Sequence, residues 1–137
     1  MSEALIHQKE VVMKKRVHSV DILPKFGPYS HVVEAGGFLF VSGIVSIDLK
    51  KDLTITDDIR AATELVLNNV KRALESAGSR LDNVVKVTVF LRDMADFNSM
   101  NEVYRTFFSE NPPARSCVAV KEIPGNFPVE IEVIAIK

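Results

Sequence analysis

Two stretches of this chain, Val84–Leu91 and Val129–Ile136, alternate as β-strands do but carry apolar residues on both of their faces. In the first, Val85, Val87, Val89 and Leu91 line one face, and Phe90 lies on the other. In the second, Val133 and Ala135 oppose Ile134 and Ile136. A sheet built from such strands must be covered on two sides, and the sequence has only two helical stretches to cover it. From Ile59, apolar residues recur at Ala62, Val66, Val70, Ala73 and Ala77. These steps of three and four predict a helix over about 54–77, stopped by Gly78. Asp57 and Asp58 suit its first turn through the helix dipole. A second helix is expected from about Asp96, a candidate N-cap, to Phe108, with Phe97, Met100, Tyr104, Phe107 and Phe108 as its apolar stripe. Two helices cover one face of a sheet. The other face needs a partner, and a homo-oligomer that packs like faces together is the simplest solution.

The remaining elements complete an α+β plan. Val11 to His18 reads as a first strand, and Pro24, Gly27 and Pro28 make a rigid loop. Ser30–Ala35 and Phe38–Ser42 read as a hairpin around Gly36-Gly37. Gly43 to about Leu53 is expected as a loop or strand end, and a further strand covers about Ala114–Val120. The order is β-β-β-α-β-α-β-β, a mixed sheet with two helices on one face. One domain is expected over 10–137, after a short mobile lead at 1–9.

Composition removes several function classes. The chain has 137 residues, of which 47% are hydrophobic and 26% charged, as in a globular domain. A net charge of −1 gives no general attraction to nucleic acid or anionic membranes. The basic run Lys14-Lys15-Arg16 reads as a solvated strand edge. A single cysteine, Cys117, excludes an intramolecular disulfide and a cysteine-based zinc cluster. His7, His18 and His31 are scattered and are expected to be structural or superficial. No signal-peptide pattern and no apolar run of membrane-helix length occur, so the expected compartment is the cytoplasm.

The chemistry concentrates near the C-terminus. Arg115 and Cys117 are two apart and share a strand face, as do Glu130 and Glu132 on the next strand. The two strands are expected to be neighbours, which would give a guanidinium fork and a carboxylate a shared pocket that suits a small organic acid reacting with water. Arg115 could equally form a surface ion pair, and alternation alone does not choose between Glu130 and Glu132. Cys117 has no histidine placed beside it by motif, so a small pocket residue fits better than a nucleophile. Tyr29 in its proline-rich loop either packs or lines a pocket, and Ser42 before Gly43 reads as a strand-end turn or a pocket residue. The glycines form no phosphate-binding pattern.

In order along the chain, Gly27-Pro28-Tyr29, Phe40-Val41-Ser42-Gly43, Asn68-Asn69-Val70, Val85–Leu91, Asp96-Phe97, Asn101, Tyr104, Phe107-Phe108, Pro113–Cys117 and Glu130-Ile131-Glu132 resemble the Rid, or YjgF-like, family of enamine/imine deaminases. The resemblance spans about 24–137. It implies a chorismate-mutase-like fold, a homotrimer with sites between subunits, and no metal or organic cofactor. It implies hydrolysis of 2-imino acids, formed from the enamines that pyridoxal-phosphate enzymes release, to 2-keto acids and ammonia. By position, it implies that Arg115 clamps the substrate carboxylate and that Glu130 rather than Glu132 activates water and handles protons. It also implies that Tyr29, Ser42 and the main chain around Cys117 line the pocket. Ile44–Leu53 departs from the Gln, Pro and Thr-Gly-Glu pattern usual in the deaminase branch. Two other functions stay open. One is a small-carboxylate-binding regulator that uses Arg115 without Glu130. The other is an endoribonuclease or translation inhibitor, which the near-neutral charge argues against.

Overall fold

The computed structural model describes residues 14–137. The expected lead, His7 and the start of the expected first strand lie outside these residues. The strands are β1 (Arg16–His18), β2 (Val32–Ala35), β3 (Phe38–Val45), β4 (Ile47–Asp48), β5 (Leu53–Thr54), β6 (Val84–Leu91), β7 (Ala114–Ala119) and β8 (Val129–Ile136). The helices are α1 (Ile59–Ser76) and α2 (Phe97–Phe107). Six strands form one mixed sheet in the order β1-β2-β3-β8-β6-β7; β4 and β5 form a separate small hairpin. All pairings in the large sheet are antiparallel except β6 with β7, the pair whose connection runs through α2.

Local chemistry explains the elements. β2 and β3 turn on Gly36-Gly37, both at positive φ (59° and 82°), as a two-residue hairpin between paired Ala35 and Phe38 requires. α1 starts at Ile59, later than its apolar period suggests. Asp58 is extended, and its carboxylate accepts from the Ala61 N–H at 3.1 Å. Asp96 makes no capping bond. A 3₁₀ turn over Met94–Asp96 precedes α2, and Asp93 caps it by accepting from Ala95 N–H at 2.9 Å.

Leu39 and Val41 of β3, Val87, Val89 and Leu91 of β6, and Ile131 and Val133 of β8 are buried against Val66, Val70 and Leu74 of α1 and Met100 of α2. This is the helix-covered face. The opposite face is apolar and open: Phe38, Phe40, Val118 and Ile136 are each more than 40% exposed. Among the described residues, no helix is long and apolar enough to cross a membrane.

One expectation about the strands is corrected and one, the loop or strand end at Gly43–Leu53, is sharpened. Val85 does not join the face of Val87 and Val89. The register slips between Val84 and Lys86 against β8, which buries Val84 and leaves Val85 38% exposed. Gly43–Leu53 is also more ordered than a loop. β3 continues to Val45, and the β4–β5 hairpin follows. Buried Asp48 holds that hairpin turn by accepting from Lys50 N–H and Lys51 N–H, and it pairs with Arg72 of α1 at 2.8 Å.

Candidate active site

A β-bulge borders a cavity beside β3. Val41 pairs with Val133 and Ile44 with Ile131, so Ser42 and Gly43 of β3 together face the single residue Glu132 of β8. The cavity, of about 330 Å³, lies on the side of the sheet remote from the helices. Its floor carries Glu130 and Glu132; its walls include Tyr29, Phe26, Ser42 and Pro124. Glu130 pairs with Phe90 on one side and Val45 on the other, and it is half-buried. Burial, and secondarily the charge of Glu132, pushes its carboxyl above the usual carboxylate range. Gly43 makes room for it: a methyl group at Gly43 would lie 2.5 Å from Glu130 Oε2.

Tyr29 and Ser42 shape the cavity while their hydroxyls are engaged in the protein. Ser42 Oγ donates to Ser30 O at 2.6 Å and ties β3 to the loop before β2. Tyr29 Oη accepts from Phe26 N–H at 3.1 Å, closing the Pro24–Tyr29 loop on itself. What these two residues offer a ligand is the ring face and the wall.

Arg115 is elsewhere. The expectation that its strand neighbours that of Glu130 is overturned: β6 lies between β7 and β8. Arg115 pairs with Val87, and Cys117 with Val89, so both lie on the helix-covered face at the sheet edge, opposite to Glu130. There α2 holds the guanidinium. Arg115 Nη1 donates to Asn101 Oδ1 at 2.7 Å, and Arg115 Cζ stands 4.6 Å from the Tyr104 ring centroid and 5.7 Å from that of Phe97. Among the described residues, Arg115 makes no ion pair. Burial pushes the Tyr104 phenol up to about 12, with the Arg115 charge acting in the opposite direction. Burial likewise raises the Cys117 thiol, which Arg115 only partly offsets. A protonated thiol is a poor nucleophile, and Cys117 is not among the residues that line the Glu130 cavity.

Asn101, Gly43 and His31 received no site role from sequence. Asn101 was legible: Phe97, Asn101 and Tyr104 fall at i, i+4 and i+7, one face of α2. The role of Gly43 depends on Glu130, far away in sequence, and that of His31 on how the loop from Val20 folds back onto its ring.

The layered α+β fold, with a carboxylate cavity on one face and a caged arginine at the edge, defines a class of small single-domain proteins. Residues 21–137 match the family described as endoribonuclease L-PSP. A RutC family protein of Pyrococcus horikoshii is 45% identical over 125 residues, covering 91% of this chain and 99% of the relative. A 2-iminobutanoate/2-iminopropanoate deaminase of Dermatophagoides farinae is 37% identical, covering 89% and 96%. The crystal structure of YyfA of Yersinia pestis, from the Rid protein family, superposes with a TM-score of 0.85 at 34% identity, covering 90% and 100%. The chain belongs to this Rid, or YjgF-like, family.

Proposed function

We propose that the protein hydrolyses 2-imino acids to 2-keto acids and ammonia, in sites completed between copies of the chain. The observation that carries this reading is a pair of unmatched ionisable groups. Among the described residues, Arg115 is a caged cation with no carboxylate partner, and Glu130 is a half-buried carboxylate that feels the charge of another carboxylate, Glu132. A 2-imino acid supplies what each lacks. Its carboxylate fits the remaining donors of the guanidinium fork, and its iminium nitrogen fits the negative cavity floor. The deaminase name of the Dermatophagoides relative supports the same reaction.

Glu130 is suited to the proton traffic. Its raised affinity brings it closer to neutral pH, where a group can both accept and return a proton. As carboxylate it takes a proton from water as the oxygen attacks the C=N carbon. It then passes that proton to the nitrogen of the carbinolamine. Glu130, again a carboxylate, takes the hydroxyl proton as the C–N bond breaks, so the C=O forms, ammonia leaves, the keto acid remains bound to Arg115, and Glu130 returns the proton to solvent. Within one chain, Arg115 and Glu130 face opposite sides of the sheet. However, β7 is an edge strand, and the cavity opens on the uncovered apolar face. Packing of that face between copies, as in a homotrimer, brings the edge of one copy to the cavity of another. The test generates imino acids with an amino-acid oxidase and follows keto-acid release. Wild type should accelerate it, and Arg115→Ala and Glu130→Gln should each lose the acceleration. Retained activity in both variants would refute the assignment.

A further inference from the structure

His31 is buried in the wall of the Glu130 cavity, with both ring nitrogens engaged by main chain. Val20 N–H donates to Nδ1 at 2.9 Å. At the other end, Nε2 lies 3.1 Å from Pro24 O. A carbonyl only accepts, so Nε2 must carry the proton; the amide only donates, so Nδ1 must be bare. The contacts therefore select one tautomer. The main chain of the same residue reaches the other wall, since Ser42 N–H donates to His31 O at 3.0 Å. The ring also meets Tyr29 edge-on, with centroids 6.4 Å apart. His31 thus joins three parts of the cavity: the Val20–Pro24 segment, the Phe26–Tyr29 loop and the bulge of β3.

We infer that His31 is a positioning residue that sets which side chains the cavity accepts, by bracing the Leu23–Tyr29 wall against β3. This rests on the deaminase reading for the identity of the substrate. The wall it braces is apolar (Leu23, Pro24, Phe26 and Tyr29) and has no part in clamping the carboxylate or moving protons. Its contacts are with the substrate side chain, and they are made equally in ground state and transition state. Their loss therefore raises KM and leaves kcat.

The test uses His31→Gln and His31→Leu. A glutamine amide carries an acceptor and a donor separated by one carbon, like Nδ1 and Nε2, and can replace both bonds. Leucine fills similar space but strands the Val20 N–H and leaves the Pro24 carbonyl only the longer 3.4 Å bond from Tyr29 Oη. His31→Leu should raise KM on the order of tenfold for imino acids with longer apolar side chains, with kcat within about twofold, and His31→Gln should restore KM. Two readouts do not depend on turnover. Nitrogen NMR of the wild type should show the Nε2–H tautomer, and exchange of the Val20 amide should be slow in wild type and His31→Gln but fast in His31→Leu. The Nδ1–H tautomer, equal Val20 exchange in wild type and His31→Leu, or an unchanged KM in His31→Leu would overturn the inference. If wild type hydrolyses no imino acid, the deaminase reading fails, while the tautomer and exchange measurements still decide the brace.

Discussion

Two residues control how Glu130 behaves, one through space and one through charge. Gly43 leaves the volume that the carboxylate fills, 2.5 Å from where a methyl group would be. The clashing atoms are the far end of a flexible side chain, so Gly43→Ala should fold normally and push Glu130 aside. Keto-acid release should fall by about 10²–10⁴-fold, the usual share of a general acid–base group, with little change in melting temperature. A large loss of thermal stability without loss of specific activity would contradict this. Glu132 acts through its negative charge, which adds to burial in raising the Glu130 carboxyl. The attacking step needs ionised Glu130, so activity should climb with pH through a limb above the usual carboxylate range. Removing the Glu132 charge makes ionisation of Glu130 easier. Glu132→Gln should therefore keep most of its activity and move the acid limb to lower pH, as a pH–rate profile would reveal. A limb displaced to higher pH would reverse the sign of the argument.

The two helices work differently at the element scale. α1 is structural: nine of its residues are buried, and its N-terminus is fixed by the Asp58–Ala61 bond. Asp58→Ala should lower unfolding free energy by about 1 kcal/mol in urea titration and leave catalytic rates alone. α2 buries Met100 and Tyr104, yet the face with Phe97, Asn101 and Tyr104 also grips Arg115. Both helices were legible as apolar periods, because an amphipathic pattern sustained over 18 residues in α1 and 11 in α2 is a strong local signal. The start of α1 and the capping bonds were less legible. Asp58 caps α1 four residues past the expected start; Asp96 stands at the N-cap position of α2 as expected but makes no capping bond, and Asp93 caps the 3₁₀ turn before it. Where several acidic residues cluster before a helix, sequence does not say which one turns inward. The bulges at Val84–Lys86 and Ser42-Gly43 were hidden for a similar reason: a bulge is a property of two paired strands.

On the scale of the whole molecule, an apolar face is left open and Arg115 and Glu130 lie on opposite sides of the sheet. If copies complete one another, mixing inactive Arg115→Ala with inactive Glu130→Gln under subunit exchange should restore part of the activity, because some interfaces then carry both wild-type groups. No recovery after demonstrated exchange would place each site within a single chain. The sequence by itself determined the α+β order, the turn at Gly36-Gly37, the apolar excess on strand faces, and the residue types at 115 and 130. Those follow from periodicity and local conformational preference, which neighbours in the chain decide. Only the tertiary structure decided that β6 inserts between β7 and β8, that Arg115 falls on the Val87 side while Glu130 falls on the other, and that Gly43 and His31 serve the cavity. Strand order and register are set by which distant segments bury each other best, and a shift of one residue in register exchanges the two faces.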